Sequence, residues 1–365
     1  MTLALCLSLG AMGCWDASAV EDKDIVTAVV VDKTDSGYSF TVEIASISQG
    51  GGSQGGTKAP ESKVLKGEGK TFVAARESLE RKSDKLIDLS AVQSVVFTEN
   101  MLYDDITQYM QRFRHNPAYR KTVYVAGTRV TPDDLMKATS ENNTLVGTSL
   151  YQTFLSLIKN GQMYEMTMGD ILTSLSCEYK GYLIPAVDLS DGEITLIGFY
   201  AMEGGACKGF VPVEGSSGIV HFHTKSKPIH YSVEYKGLEA AFAVDMKKAV
   251  TRGEYRDGKV RLNIRFSGKA TLQYLSEEKK VTDEELNEMG ETLKQDLRER
   301  HMEAVKTSQR VGVDYLDLHE AFRIQNPDIY KELDWSQVYP DAEINMDMDV
   351  EIRWGTIDYK EKEGE

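Results

Sequence analysis

Positive charge is in deficit in this chain of 365 residues: 42 Lys and Arg stand against 57 Asp and Glu, a formal net charge of −15. A general nucleic-acid binder needs a basic face to neutralise phosphates, so that class is excluded. Adhesion to an anionic membrane by surface charge is excluded for the same reason. No apolar run reaches about 18 residues, which removes a conventional membrane-spanning helix. Cysteine is scarce, with four residues, no CxxC and no zinc-type spacing. A chain this long can bury a real core without disulfides or metals. What remains, 41% hydrophobic and 27% charged residues, is an ordinary folded composition. The length predicts roughly two to three domains at about 100–200 residues each.

The first residues differ from the rest. Thr2 to Gly13 carry no charge and are mostly apolar, and a polar, acidic segment follows from Asp16. The stretch is too short to span a bilayer but matches the apolar region of a secretory signal, residues 1–13. Ala11 and Gly13 before Cys14 resemble a bacterial lipobox, in which the cysteine sulfur receives diacylglycerol and the preceding peptide is removed. The competing reading is a buried N-terminal segment with an inert cysteine. Each buried CH₂ contributes about 0.8 kcal/mol, and a diacylglyceryl group supplies two chains at once. Loss of residues 1–13 removes no charge, so the whole −15 belongs to the part that follows. Cys6 leaves with the signal and Cys14 is lipidated, which leaves Cys177 and Cys207 either paired or as buried free thiols.

Along the body, Asp24 to Asp32 and Tyr38 to Ser48 alternate and are β-branched, around a turn cluster, which predicts a hairpin. Ser48 to Pro60 is Gly-, Ser- and Gln-rich and predicts a flexible insertion, residues 48–60. A strand follows at Lys63 to Gly69. A helix is expected over Thr71 to Lys82, a buried strand over Val92 to Thr98, and one helix over Leu102 to Arg114 with Ile106, Met110 and Phe113 on one face. A strand at Thr122 to Ala126 and a helix opening at Thr131-Pro132 complete an α/β region, residues 14–190. Beyond residue 190 short strands dominate to about 280. A capping box at Thr282 and Glu285 then opens a long helix to about Gln309, roughly 40 Å at 1.5 Å per residue. A final strand runs from Asn345 to Trp354. Residues 191–365 thus read as an α+β region, with 191–280 strand-rich and 281–365 holding the long helix and terminal strand. The chain as a whole is expected to be α+β, with mixed sheets and packed helices.

Chemistry is sparse. His221 and His223 flank Phe222 and would share a face if that segment were a strand, with His230 further on. A metal site needs a third ligand and a second shell, so strand histidines without metal are the plainer reading. Lys66 to Lys70, KGEGK, lacks phosphate-loop spacing and reads as a strand-to-helix turn. Gly147 to Leu150 lacks the frame of a nucleophile elbow. Asp104-Asp105 and Asp133-Asp134 are expected at helix N-termini. Asp347, Asp349 and Glu351 would line one solvated strand face, without the loop that a calcium site needs. Nothing assembles a nucleophile, a base and an orienting group.

Several segments together resemble the Ger(x)C family, the lipoprotein C subunits of spore germinant receptors. They are Gly13-Cys14-Trp15-Asp16; Gly67 to Ala75; the strand around Val95 to Thr98; Tyr109 to Arg120; Ile197 to Met202; Gly209 to Val211; and a C-terminal series of Ser308-Gln309, Val313 to Leu318, Trp335 and Trp354-Gly355. The resemblance implies an α+β fold in several subdomains, no enzymatic activity and no cofactor. It implies lipidation at Cys14 on the outer face of the spore inner membrane, with A and B type membrane subunits as partners and small nutrients as the signal. It carries no partner-binding residue. A free-standing solute-binding lipoprotein and an exported metal-dependent hydrolase using His221 and His223 are the competing classes. The strand meander of the second half disfavours the first, and the missing third ligand disfavours the second.

Overall fold

The computed structural model describes residues 20–45, 62–115, 119–138, 144–216, 218–223, 228–247, 249–277 and 280–355. Cys14 and the 48–60 insertion lie outside them. The fold is α+β, built on two mixed sheets that share one contiguous core.

The first sheet contains β1 (Lys23–Thr34), β2 (Gly37–Ala45), β3 (Ser62–Gly69), β4 (Leu86–Asp88), β5 (Ser94–Thr98), β6 (Tyr124–Thr128), β7 (Gly181–Ser190), β8 (Glu193–Glu203) and β9 (Ala206–Pro212). Its order is β3-β2-β1-β5-β6-β7-β8-β9, with β4 beside β1. The four central strands β1, β5, β6 and β7 run parallel, and antiparallel strands flank them on both sides. Parallel strands are covered on both faces, and accordingly Ala28 to Val31 and Ser94 to Phe97 are buried without alternation. The expected β1–β2 hairpin is present, closed by the Thr34–Gly37 pair. The sheet runs on through Pro212.

Helices α1 (Phe72–Glu80), α2 (Glu99–Asp104), α3 (Thr107–His115), α4 (Pro132–Leu135), α5 (Val146–Lys159) and α6 (Met168–Ser174) cover this sheet. Thr71 caps α1 by accepting from Ala74 N at 3.1 Å. A Cβ on Gly67 or Gly69 would come within 2.4–2.5 Å of the Ala75 backbone, so the KGEGK glycines let α1 lie directly on β3. The single helix expected over Leu102 to Arg114 is two. Asp105 adopts an extended backbone (φ −169°, ψ 122°) and its carboxylate accepts from Thr107 N at 2.7 Å, which ends α2 and starts α3. Asp104 therefore closes a helix rather than opening one, whereas Asp133 and Asp134 do lie in a first turn.

α5 has no side-chain cap of its own at Leu145. The carboxylate of Glu43, on β2, does that work from a distance. It accepts from Val146 N at 2.7 Å, Gly147 N at 3.0 Å and the Thr27 hydroxyl at 2.6 Å, and it is 1% exposed. A buried carboxylate is tolerated here because donors and the helix N-terminus surround it.

The second sheet contains β10 (Ile229–Tyr235), β11 (Leu238–Met246), β12 (Val250–Arg256), β13 (Lys259–Leu275) and β14 (Glu343–Arg353). The 17-residue β13 pairs with β11 and β12 along one edge and with β14, in parallel, along the other. A one-turn helix α7 (Val220–His223) precedes this sheet. The long helix α8 (Asp283–Val311) crosses it, opened by the expected Thr282–Glu285 box and ended by left-handed Gly312. Leu286, Met289, Leu293, Leu297, Ala304 and Val305 form its buried stripe. Short helices α9 (Leu318–Gln325), α10 (Pro327–Glu332) and α11 (Trp335–Val338) follow. The segment after α8 joins the first sheet where Gly181 N donates to Asp314 O and Lys180 pairs with Asp317 at 3.5 Å.

Candidate functional site

The expected histidine pair does not form. His221 and His223 lie on α7, not on a strand. Gly218 takes φ +97°, and the chain then turns through His221 N→Gly218 O and Phe222 N→Ile219 O bonds. The alternation of Val220 to His223 looked like a strand, but three consecutive side chains from Val220 to Phe222 are buried. His221 meets His301 of α8, Nδ1 to Nε2, at 2.9 Å with the rings stacked, and His301 Nδ1 reaches Leu297 O at 2.5 Å. Burial pushes His221 down to about 3, helped by His301, and burial pushes His301 down to about 4. Both are therefore neutral packing groups at neutral pH. His223 instead stacks on Tyr164, and His230 is exposed. No group of three His, Cys, Asp or Glu among the described residues could hold a metal ion.

The remaining sequence candidates are also dispersed. Cys177 is exposed and Cys207 buried, both as free thiols. Burial pushes the Cys207 thiol up. Asp347 and Asp349 bracket Arg265 at 3.6 and 2.7 Å, and Glu351 pairs with Arg353 at 2.8 Å, so this strand face is solvated and charge-balanced.

The C-terminal segment that carries the family resemblance has a clear structural role. Asp314, 2% exposed, accepts from Leu316 N, Leu318 N, His319 N, and His319 Nδ1, and from Trp335 Nε1 at 3.1 Å. One buried carboxylate thereby starts α9 and ties α11 to it. Ser308 and Gln309, at the end of α8, bond Tyr339 and Ala342 and complete the knot.

An opening lies on the first sheet, between α1, α3 and the β4 segment. It encloses about 710 Å³, a volume in the range of small-molecule sites. Val29, Phe40 and Val42 of the sheet form its floor, and Leu79 and Phe113 its helical walls. Lys23 pairs with Asp88 at 3.2 Å and Arg76 with Glu80 at 2.7 Å on its rim. Arg112 rests over the rings of Phe40 and Phe72, 5.7 Å from each centroid. Tyr109 and Tyr119 bring hydroxyls to the same place, and desolvation holds both well in their protonated form. Sequence reading placed Ile106, Met110 and Phe113 on the buried face of this helix and passed over Tyr109 and Arg112, spaced i, i+3 beside it. An arginine flanking an apolar stripe next to a buried tyrosine was the available signal.

Among the described residues no helix is long and apolar enough to cross a membrane. Residues 16–189 match the family model for the spore germination protein N-terminal domain, and residues 200–354 match that for the spore germination B3/GerAC-like C-terminal domain. The chain is 23% identical to spore germination protein GerQC of Bacillus cereus over 199 residues, 54% of this chain and 53% of GerQC. It is 25% identical over 140 residues to YfkR of Bacillus subtilis (strain 168), 37% of this chain and 36% of that protein. The chain thus spans about half or less of the length of these curated relatives. The fold is similar to the crystal structure of the GerBC protein, with a TM-score of 0.60 at 16% identity, covering 89% of this chain and 96% of that one. Both halves of the chain are matched in order, and the chain belongs to the Ger(x)C family of spore germination proteins.

Proposed function

We propose that this protein is the non-catalytic, lipid-anchored subunit of a spore germinant receptor, required for germination in response to nutrients. The lipid is carried by Cys14, and the folded body sits on the outer face of the spore inner membrane beside A and B type membrane subunits. The observation that carries the reading is the family membership of both halves, with the matched region opening at Asp16, two residues past Cys14. The charge supports it too. A body of net charge −15 is repelled by anionic headgroups, so an anchor must supply the affinity. Two acyl chains on one sulfur would suffice. The site geometry agrees with a scaffold, since the buried His221, His301 and Asp314 serve packing and capping among the described residues.

Deletion of the chain tests the role. Spores lacking it should lose the response to one class of nutrient and regain it on complementation. A purification from spore membranes should bring down the two membrane subunits. Normal nutrient germination of the deletion in a strain with no second receptor of this type would contradict the proposal.

A further inference from the structure

The groove on the first sheet holds a chemistry that the fold itself does not use. Its rim carries two cations and two anions already joined to each other, Lys23 with Asp88 and Arg76 with Glu80. Arg112 is different: among the described residues its guanidinium has neither an ion pair nor a hydrogen bond, only the Phe40 and Phe72 rings. Tyr109 lines the groove and is 3% exposed, and its hydroxyl interacts among the described residues with the hydroxyl of Tyr119. Tyr119 is its polar neighbour, and Arg112 acts electrostatically on both hydroxyls.

These groups share a sign. A guanidinium and two phenol hydroxyls present donors, and among the described residues no free carboxylate faces them. An ammonium ligand would meet Arg112 with no anion left to receive it. A neutral apolar ligand would leave the Tyr109 hydroxyl and Arg112 as they are. A single guanidinium matches one carboxylate in charge and in fork geometry. We propose that this groove is a binding site for a small amphipathic carboxylate, its apolar body against Phe40, Val42 and Leu79 and its anionic head on Arg112 and the Tyr109 hydroxyl. The site stands on the groove's own residues and not on membership of a receptor complex.

The test uses 3-phenylpropanoate and its neutral isostere 3-phenylpropanamide, titrated calorimetrically into the full chain bearing Cys14→Ser, so that no acyl group competes. The carboxylate should bind about tenfold more tightly than the amide, as expected for one charge-assisted pair. Arg112→Met should abolish that preference while the amide's affinity changes little. Tyr109→Phe, which keeps the ring, should weaken the carboxylate several-fold with an unchanged melting temperature. Equal binding of the two ligands, binding of neither at millimolar concentration, or a carboxylate preference that survives Arg112→Met in a folded protein would overturn the proposal.

Discussion

Each half of the molecule buries a carboxylate to start helices, and they do so over very different distances. Asp314 serves backbone donors within five residues of itself, plus the Trp335 indole. Glu43 serves α5 across more than a hundred residues, from one strand of the first sheet. The local solution is a motif and can be read along the chain. The distant one exists only once β2 and α5 have met. The halves differ again in what they leave unfinished. The C-terminal knot of Asp314, Ser308, Gln309 and Tyr339 is closed by its own bonds, whereas the first sheet keeps a groove whose Arg112 guanidinium has no acceptor among the described residues. The second half is thus read as scaffold and the first as the half equipped to receive something.

The largest expected effect falls on the scaffold. Asp314→Ala leaves five buried donors without an acceptor and should cost about 4 kcal/mol or more, seen as a lowered denaturation midpoint of the second half. An unchanged midpoint would remove the distinction between the halves. Acid should act on the same half through His221 and His301. Their folded values, about 3 and about 4, lie below the unfolded value near 6.5. Above about pH 7.5 neither state takes up a proton and the pair contributes no pH dependence. As pH falls from 6.5 toward 4, the unfolded chain binds protons that the folded one refuses, so stability is lost. At pH 5 the loss is up to about 2 kcal/mol per histidine. His221→Phe should flatten the slope of midpoint against pH, and an unaltered slope would place the acid sensitivity elsewhere.

In the first half, Glu43→Gln keeps size but turns an amide toward N–H donors, and should cost about 2 kcal/mol in thermal or denaturant melts. A loss as large as that of Asp314→Ala would show that distance does not matter to such a cap. The smallest effect belongs to the groove. Arg112→Met should shift stability by no more than about 0.5 kcal/mol, because the guanidinium makes no hydrogen bond or ion pair among the described residues. A large loss would make Arg112 part of the scaffold and erase the contrast between the halves.

What could be read from the sequence follows the same division between local and distant. The β1–β2 hairpin, the Thr131 and Thr282 caps and the β14 alternation are set by neighbours in the chain, and all appear. The break at Asp105 was missed because apolar spacing continues across it while the side chain folds back on Thr107. The α7 turn was missed because Gly218 and contacts with α8, not the Val-His-Phe-His pattern, decide its shape. The groove as a whole was beyond reach, because its floor, walls and rim come from β1, β2, α1, α3 and β4, and the Tyr109–Arg112 spacing on α3 signals only one wall of it. Membership of the family, by contrast, was carried by short motifs in order, and Asp314 now explains in physical terms why one of them, Val313 to Leu318 with Trp335, hangs together.

The central claim is that a folded, acidic body is held at a membrane by one lipidated residue. Metabolic labelling with radioactive palmitate, followed by membrane fractionation, tests it most directly. The account predicts that the intact protein takes up label and sediments with membranes, and that Cys14→Ala loses the label and shifts to the soluble fraction. Label and sedimentation that persist in Cys14→Ala would contradict it.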